Sequence, residues 1–127
     1  MAVDRKGARR HSNNPDNPNQ NMCALRVAQA LGVADNVRYL HVRKASVRAA
    51  RTAYTVRSRF SQVKGKSVGG ARAKLSQITQ KDGLNPVGYL VFVDRHVMLL
   101  DKDGQTRVDT DPRQRDRRKV RELYVVY

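Results

Sequence analysis

Read as a pattern of apolar and polar positions, the chain changes character twice. Up to Asn21 apolar residues are sparse, and SNNPDNPNQN holds two prolines and five asparagines, which favour turns and extended chain over helix. From Met22 the pattern becomes helical: Cys23, Val27, Ala30 and Leu31 share a face, Leu25 and Ala28 widen it, and Gly32 supplies a stop. This predicts a helix of about ten residues with Cys23 in its first turn. Further on, Val47, Ala50, Ala53 and Tyr54 fall on one side of an arginine-rich run, predicting a basic helix from about Lys44 to Arg57. Ser67 has the place of an N-cap for a third helix, striped by Val68, Ala71, Leu75 and Ile78 and ended by KDGLNP.

After Pro86 the period changes to that of strands. VGYLVFV is a near-continuous apolar run, as expected of a strand buried on both faces. Asp94-Arg95 is a two-residue break, HVMLLD a second strand, KDG a turn in which Gly104 takes positive φ, and TRVD a third strand. A charged loop, DPRQRDRR, leads to the alternating terminal strand KVRELYVVY. Helices over 22–82 followed by an antiparallel meander of about four strands over 86–127 define an α+β domain. The expectation is a basic flexible arm, 1–21, and one domain, 22–127.

Composition adds one strong feature. The 127 residues carry 26 Lys and Arg against 11 Asp and Glu, a formal charge of +15. Residues 22–86 alone hold 13 basic and 2 acidic side chains. An excess of this size attracts polyanions, so DNA or an acidic protein surface is an expected partner. The candidate contacts are Arg43, Lys44, Arg48, Arg51, Arg57 and Arg59 in the middle, and Arg113, Arg115, Arg117 and Arg118 in the late loop. With few aromatics to stack on bases, any nucleic-acid binding should be tolerant of sequence. No window approaches the ~20 apolar residues of a membrane span, and the N-terminal stretch lacks the apolar centre of a secretory signal. A soluble intracellular or virion protein is expected.

The candidate chemistry begins at Cys23, the only cysteine. Thiolate is the reactive form, and a helix N-terminus favours it by aiming unpaired N–H groups at the sulfur. A base is then required. His11 lies in the arm, His41 sits among cations that disfavour imidazolium, and His96 opens a strand after a tight turn, where placement is rigid. An orienting carboxylate should sit on a neighbouring strand. Asp109 ends the third strand, and 96 and 109 are nearly symmetric about the KDG turn, so pairing of the two strands would bring them together. Asp101, Asp103, Asp109 and Asp111 do not have the spacing of a calcium loop. No His/Cys cluster for zinc and no phosphate-binding glycine loop is present, so no metal and no cofactor is expected.

The chain order of a helix-borne Cys, then a strand-borne His, then an Asp resembles that of papain-like cysteine peptidases. MCALRVAQALG together with GYLVFVDRHVMLLDKDGQTRVDTDP is more closely similar to a group of small phage-encoded papain-like proteins. Cys23 and Arg26 match the first motif of that group, and Gly88, His96, Val97, Gly104, Asp109 and Thr110 the second; the middle of the chain matches only in its basic, helical character. The resemblance implies a papain-like fold with Cys23 as nucleophile, His96 as general base and Asp109 as orienter. An oxyanion-holding amide would precede Cys23: Asn17 has the usual spacing, with Gln20 and Asn21 nearer. One departure is Arg95, where the group has glycine before its His. The expected function is hydrolysis of a peptide, isopeptide or amide bond. The alternative is a non-catalytic virion or DNA-associated protein on the same scaffold, its partners phage virion subunits or DNA. Its place would be the virion or the host bacterial cytoplasm.

Overall fold

The apolar run at 88–93 lies at the centre of a five-stranded antiparallel sheet. In the computed structural model the described residues are 22–34, 42–83, 85–111 and 116–127. Asn17, Gln20, Asn21, His11, His41, Arg113, Arg115 and the arm at 1–21 lie outside them. The elements in chain order are α1 (Met22–Ala30), α2 (Val42–Arg51), β1 (Val56–Ser58), α3 (Val68–Asp82), β2 (Gly88–Val93), β3 (His96–Asp101), β4 (Thr106–Val108) and β5 (Glu122–Val126), with a 3-10 turn at Phe60–Gln62. The strand order is β1-β5-β2-β3-β4. The chain is thus α+β, as its pattern predicts.

Every residue of β2 is buried because the sheet is covered on both sides. Leu90 and Phe92 of β2, Val97 and Leu99 of β3 and Val126 of β5 pack with Cys23, Val27 and Ala28 of α1 and Ala45, Ala49 and Ala50 of α2. The intervening Tyr89, Val91, Met98, Leu100, Leu123 and Val125 pack with Val68, Ala71, Leu75 and Ile78 of α3. Successive strand residues therefore serve opposite cores, each fully buried aliphatic side chain contributing about 1.5–3 kcal/mol. The small residues of α1 and α2 let the two helices lie close to each other and to the sheet. No helix among the described residues is long and apolar enough to cross a membrane.

The sheet has five strands, where the sequence pattern led to four, and the basic helix ends at Arg51 instead of continuing to Arg57. Thr52 Oγ1 donates to the Ala49 carbonyl at 2.7 Å, and the Tyr54 N–H donates to the Ala50 carbonyl at 2.9 Å. The Tyr54 hydroxyl then donates to the Leu31 carbonyl at 3.0 Å, fixing the chain beside the end of α1. Thr55 and Tyr127 exchange both backbone hydrogen bonds, and β1 continues the pairing as Val56 with Val126. The β-branched Thr52, Thr55 and Val56 favour this extended path. Tyr54 mimics a helical position, and a three-residue strand is too short to display alternation.

Two hairpins set the position of β3. Between β2 and β3 the register runs from Gly88 opposite Asp101 to Val93 opposite His96. Gly88 is required there, because a Cβ would lie 2.6 Å from the Leu100 carbonyl oxygen. The connecting Arg95 has φ 59°, the one positive φ of a non-glycine residue among those described. Glycine would adopt that conformation at less cost. Between β3 and β4, Asp101 Oδ1 accepts from the N–H groups of Asp103 and Gln105, both at 2.9 Å, closing the turn as an Asx-type loop. The pairing shifts by one residue between Leu99 and Leu100, opposite Val108 and Thr106. Such a bulge re-aims the residues that follow, here Asp109. Arg107 Nη2 donates to the Ala30 carbonyl at 2.6 Å and ties β4 to the C-terminal end of α1.

Candidate active site

Cys23, His96 and Asp109 converge where the start of α1 meets the start of β3 and the end of β4. Cys23 is the second residue of α1, so its backbone N–H has no partner within the helix. Its side chain faces the core beneath α1, and the residue is 2% exposed. His96 is 5% exposed and is one of two buried polar residues among those described. Its Nε2–H donates to Asp109 Oδ1 at 2.8 Å. The Cys23 side chain lies beside the same ring, close enough to act on its protonation. The other ring nitrogen, Nδ1, is buried.

The electrostatics follow from this arrangement. Burial alone would lower the pKa of His96, but its interactions with Asp109 and Cys23 and the negative charge at both raise it from 6.5 to about 9. Burial alone would raise Asp109. Hydrogen bonds from His96, Arg118 and the Asp111 N–H, and the guanidinium charge, hold it down at about 2. The pair is therefore an imidazolium and a carboxylate over a wide pH range, with the imidazolium against the sulfur.

Arg118 is the member that sequence reasoning misplaced. Grouped by its neighbours with the polyanion contacts, it instead points inward. Its Nη2 donates to Asp109 Oδ2 at 2.9 Å and its Nη1 to Asp111 Oδ2 at 3.2 Å, with the side chain 12% exposed and that of Asp109 fully enclosed. The Asp111 N–H donates to Asp109 Oδ1 at 3.0 Å. Both oxygens of Asp109 are thus held, and the carboxylate plane that aims His96 is fixed from behind. Nothing local in DPRQRDRR separates Arg118 from its neighbouring arginines; only the return of the chain, through the Val68 N–H donating to the Arg118 carbonyl at 2.8 Å, brings it here.

The other candidate cations disperse. Lys44, Arg48 and Arg51 are exposed along the outer face of α2, Arg57 is exposed on β1, and Arg117 is exposed in the late loop. Arg59 is half-buried and donates to the Ser58 carbonyl. Arg43 pairs with Glu122 at 3.5 Å, and Glu122 also accepts from the Tyr124 hydroxyl at 2.6 Å. Among the described residues no group of three or more His, Cys, Asp or Glu side chains could hold a metal ion.

Comparison with known protein families, with curated proteins and with solved structures gives no match for this chain. The arrangement of side chains therefore carries the functional argument by itself.

Proposed function

We propose that this protein is a thiol hydrolase, and more particularly a small papain-like cysteine peptidase of the phage-encoded type. The observation that carries the proposal is the meeting of three buried groups, the Cys23 side chain beside the His96 ring and Asp109 Oδ1 at 2.8 Å from the ring's Nε2. A thiolate, an imidazolium and an orienting carboxylate are what nucleophilic attack on an acyl carbon requires. The resemblance of MCALRVAQALG and GYLVFVDRHVMLLDKDGQTRVDTDP to that group agrees with it.

In the proposed reaction the Cys23 thiolate adds to the carbonyl carbon of a peptide, isopeptide or amide bond. The oxyanion so formed accepts from the Cys23 backbone N–H, with Asn17 or Gln20 as the side-chain donor. His96 gives its proton to the leaving nitrogen as the C–N bond breaks, leaving a thioester on Cys23. Neutral His96 then takes a proton from water, whose oxygen attacks the thioester and releases the acid, restoring the Cys23 thiolate and the His96 imidazolium. Asp109, fixed by Arg118, keeps the ring oriented throughout. The test is the pH dependence of Cys23 alkylation by iodoacetamide. Fast reaction at neutral pH, falling only at low pH and slowed by Asp109→Asn, is expected; the slow profile of an ordinary free thiol would refute the reading.

A second reading rests on a separate observation. Lys44, Arg48 and Arg51 recur at helical spacing on the exposed face of α2 with no carboxylate against them among the described residues. Such a stripe fits the phosphates of DNA or an acidic subunit of a virion. DNA affinity that falls steeply with salt, and falls further when these three are changed to Gln, is expected; absent or salt-insensitive binding refutes the nucleic-acid version.

A further inference from the structure

The proton that His96 gives up in acyl transfer goes to the leaving nitrogen, so the leaving-group side of a substrate must lie on the His96 side of the sulfur. A cleft of about 220 Å³ opens directly beside His96. Val42 and Phe92 contribute apolar surface to it, and its rim carries Arg43, Arg95 and Arg121 against Asp94 and Glu122. Glu122 is already engaged by Arg43 and by the Tyr124 hydroxyl. Arg121 is exposed and meets no carboxylate within ion-pair distance among the described residues, while its backbone N–H donates to the Phe92 carbonyl at 2.7 Å and fixes its position at the cleft. The rim is therefore net positive next to the group that protonates the leaving atom.

We infer that this cleft receives the leaving-group side of the substrate and that Arg121, with Arg95, selects a carboxylate on it: an acidic side chain or a chain-terminal carboxylate within a residue or two of the scissile bond. The inference rests on the hydrolase reading and names the substrate class of that same site. The apolar floor fits the adjoining small or apolar side chain, and the guanidinium suits a planar carboxylate in a two-point pair.

The test uses two aryl disulfides that differ in the charge of the leaving thiol. Attack by the Cys23 thiolate forms a new S–S bond and breaks that of the reagent, the electron pair departing on the aryl thiolate. The full chain is treated with 5,5′-dithiobis(2-nitrobenzoate), whose leaving group bears a carboxylate, and with neutral 4,4′-dithiodipyridine. Arg121→Glu is expected to lower the ratio of the two rates roughly fivefold at low ionic strength, and Lys64→Glu, an equal charge change at an exposed site outside the cleft, to alter it much less. An unchanged ratio in Arg121→Glu, or an equal change in Lys64→Glu, overturns the inference. Slow, ordinary-thiol reaction with the neutral reagent instead overturns the hydrolase reading beneath it. The two carboxylate sources are separated by protection of Cys23 from dithiodipyridine. Acetyl-alanyl-aspartate diamide protects if a side chain is selected, and acetyl-alanyl-alanine free acid if a chain end is. Protection by neither, beyond that given by acetyl-alanyl-alanine amide, overturns it.

Discussion

Replacing Arg118 by Ala removes two charge-assisted hydrogen bonds, to Asp109 at 2.9 Å and to Asp111 at 3.2 Å. Asp109 then stays enclosed, keeping His96 and the Asp111 N–H but losing the guanidinium. Breaking a buried ion pair from one side costs about 3–5 kcal/mol; the residual exposure of Arg118 brings the expected loss to about 2–4 kcal/mol. The pH dependence identifies the cause. Lowering Asp109 from 3.8 to about 2 contributes roughly 2 kcal/mol of stability. Because the folded value is the depressed one, that contribution is present above pH 3.8 and is lost as pH falls through about 2. Without the guanidinium, burial is opposed less, the Asp109 carboxyl rises, and the acid limb of the stability profile moves to higher pH. Urea unfolding followed by circular dichroism between pH 2 and pH 7 reads both effects. Arg118→Lys keeps the charge without the two-point grip and should recover part of the limb. The Cys23 alkylation profile should change in parallel, since a carboxylate free to rotate no longer aims His96. An Arg118→Ala protein with an acid limb superimposable on the wild type would refute the clamp, whatever its overall stability.

Two further outcomes test neighbouring parts of the argument. The ring of His96, followed by NMR, should titrate near the value of about 9 that its surroundings impose. Its midpoint should fall in Cys23→Ser and in Asp109→Asn, which remove a charge and a partner. Since this pKa is raised on folding, its stabilisation is full below pH 6.5 and disappears as pH rises through about 9. At the two ends of β2 substitutions should act in opposite directions. Gly88→Ala sets a Cβ against the Leu100 carbonyl and should cost about 3 kcal/mol or prevent folding. Arg95→Gly relieves a φ of 59° and should raise the unfolding free energy by about 0.5 kcal/mol, the left-handed penalty less the added entropy of the unfolded chain.

Much of the architecture was legible because it is written in local periods. The β2 run, the Ser67 cap whose Oγ accepts from the Gly70 N–H, and the helical stripe around Cys23 each need only a few neighbouring residues to be read. The proximity of His96 and Asp109 follows from a single hairpin, and symmetry about its turn is also a local property. What could not be read depends on chain return. β1 exists because Val56 meets Val126 from the other end of the chain, and its three residues leave no period of their own. Arg118 reaches Asp109 only after the loop has crossed back towards α3. Charge in such a loop is uninformative by itself, since an arginine that neutralises a buried carboxylate and one that faces solvent look alike in sequence.

Arg95 joins these two levels. In the sequence it is a bulky cation next to His96. In the structure its backbone takes the left-handed conformation that glycine would supply, and its side chain stands on the rim of the cleft beside His96. A residue held in an unfavourable backbone region persists when its surroundings over-determine it, and such residues cluster at functional sites. Glycine would meet the turn's need at lower cost, so the turn alone does not account for arginine. The proposed selection of an anionic substrate at that cleft would. On this reasoning Arg95→Gly should gain stability and lose preference for the anionic disulfide together. An unchanged preference would leave the turn as the sole role of the position.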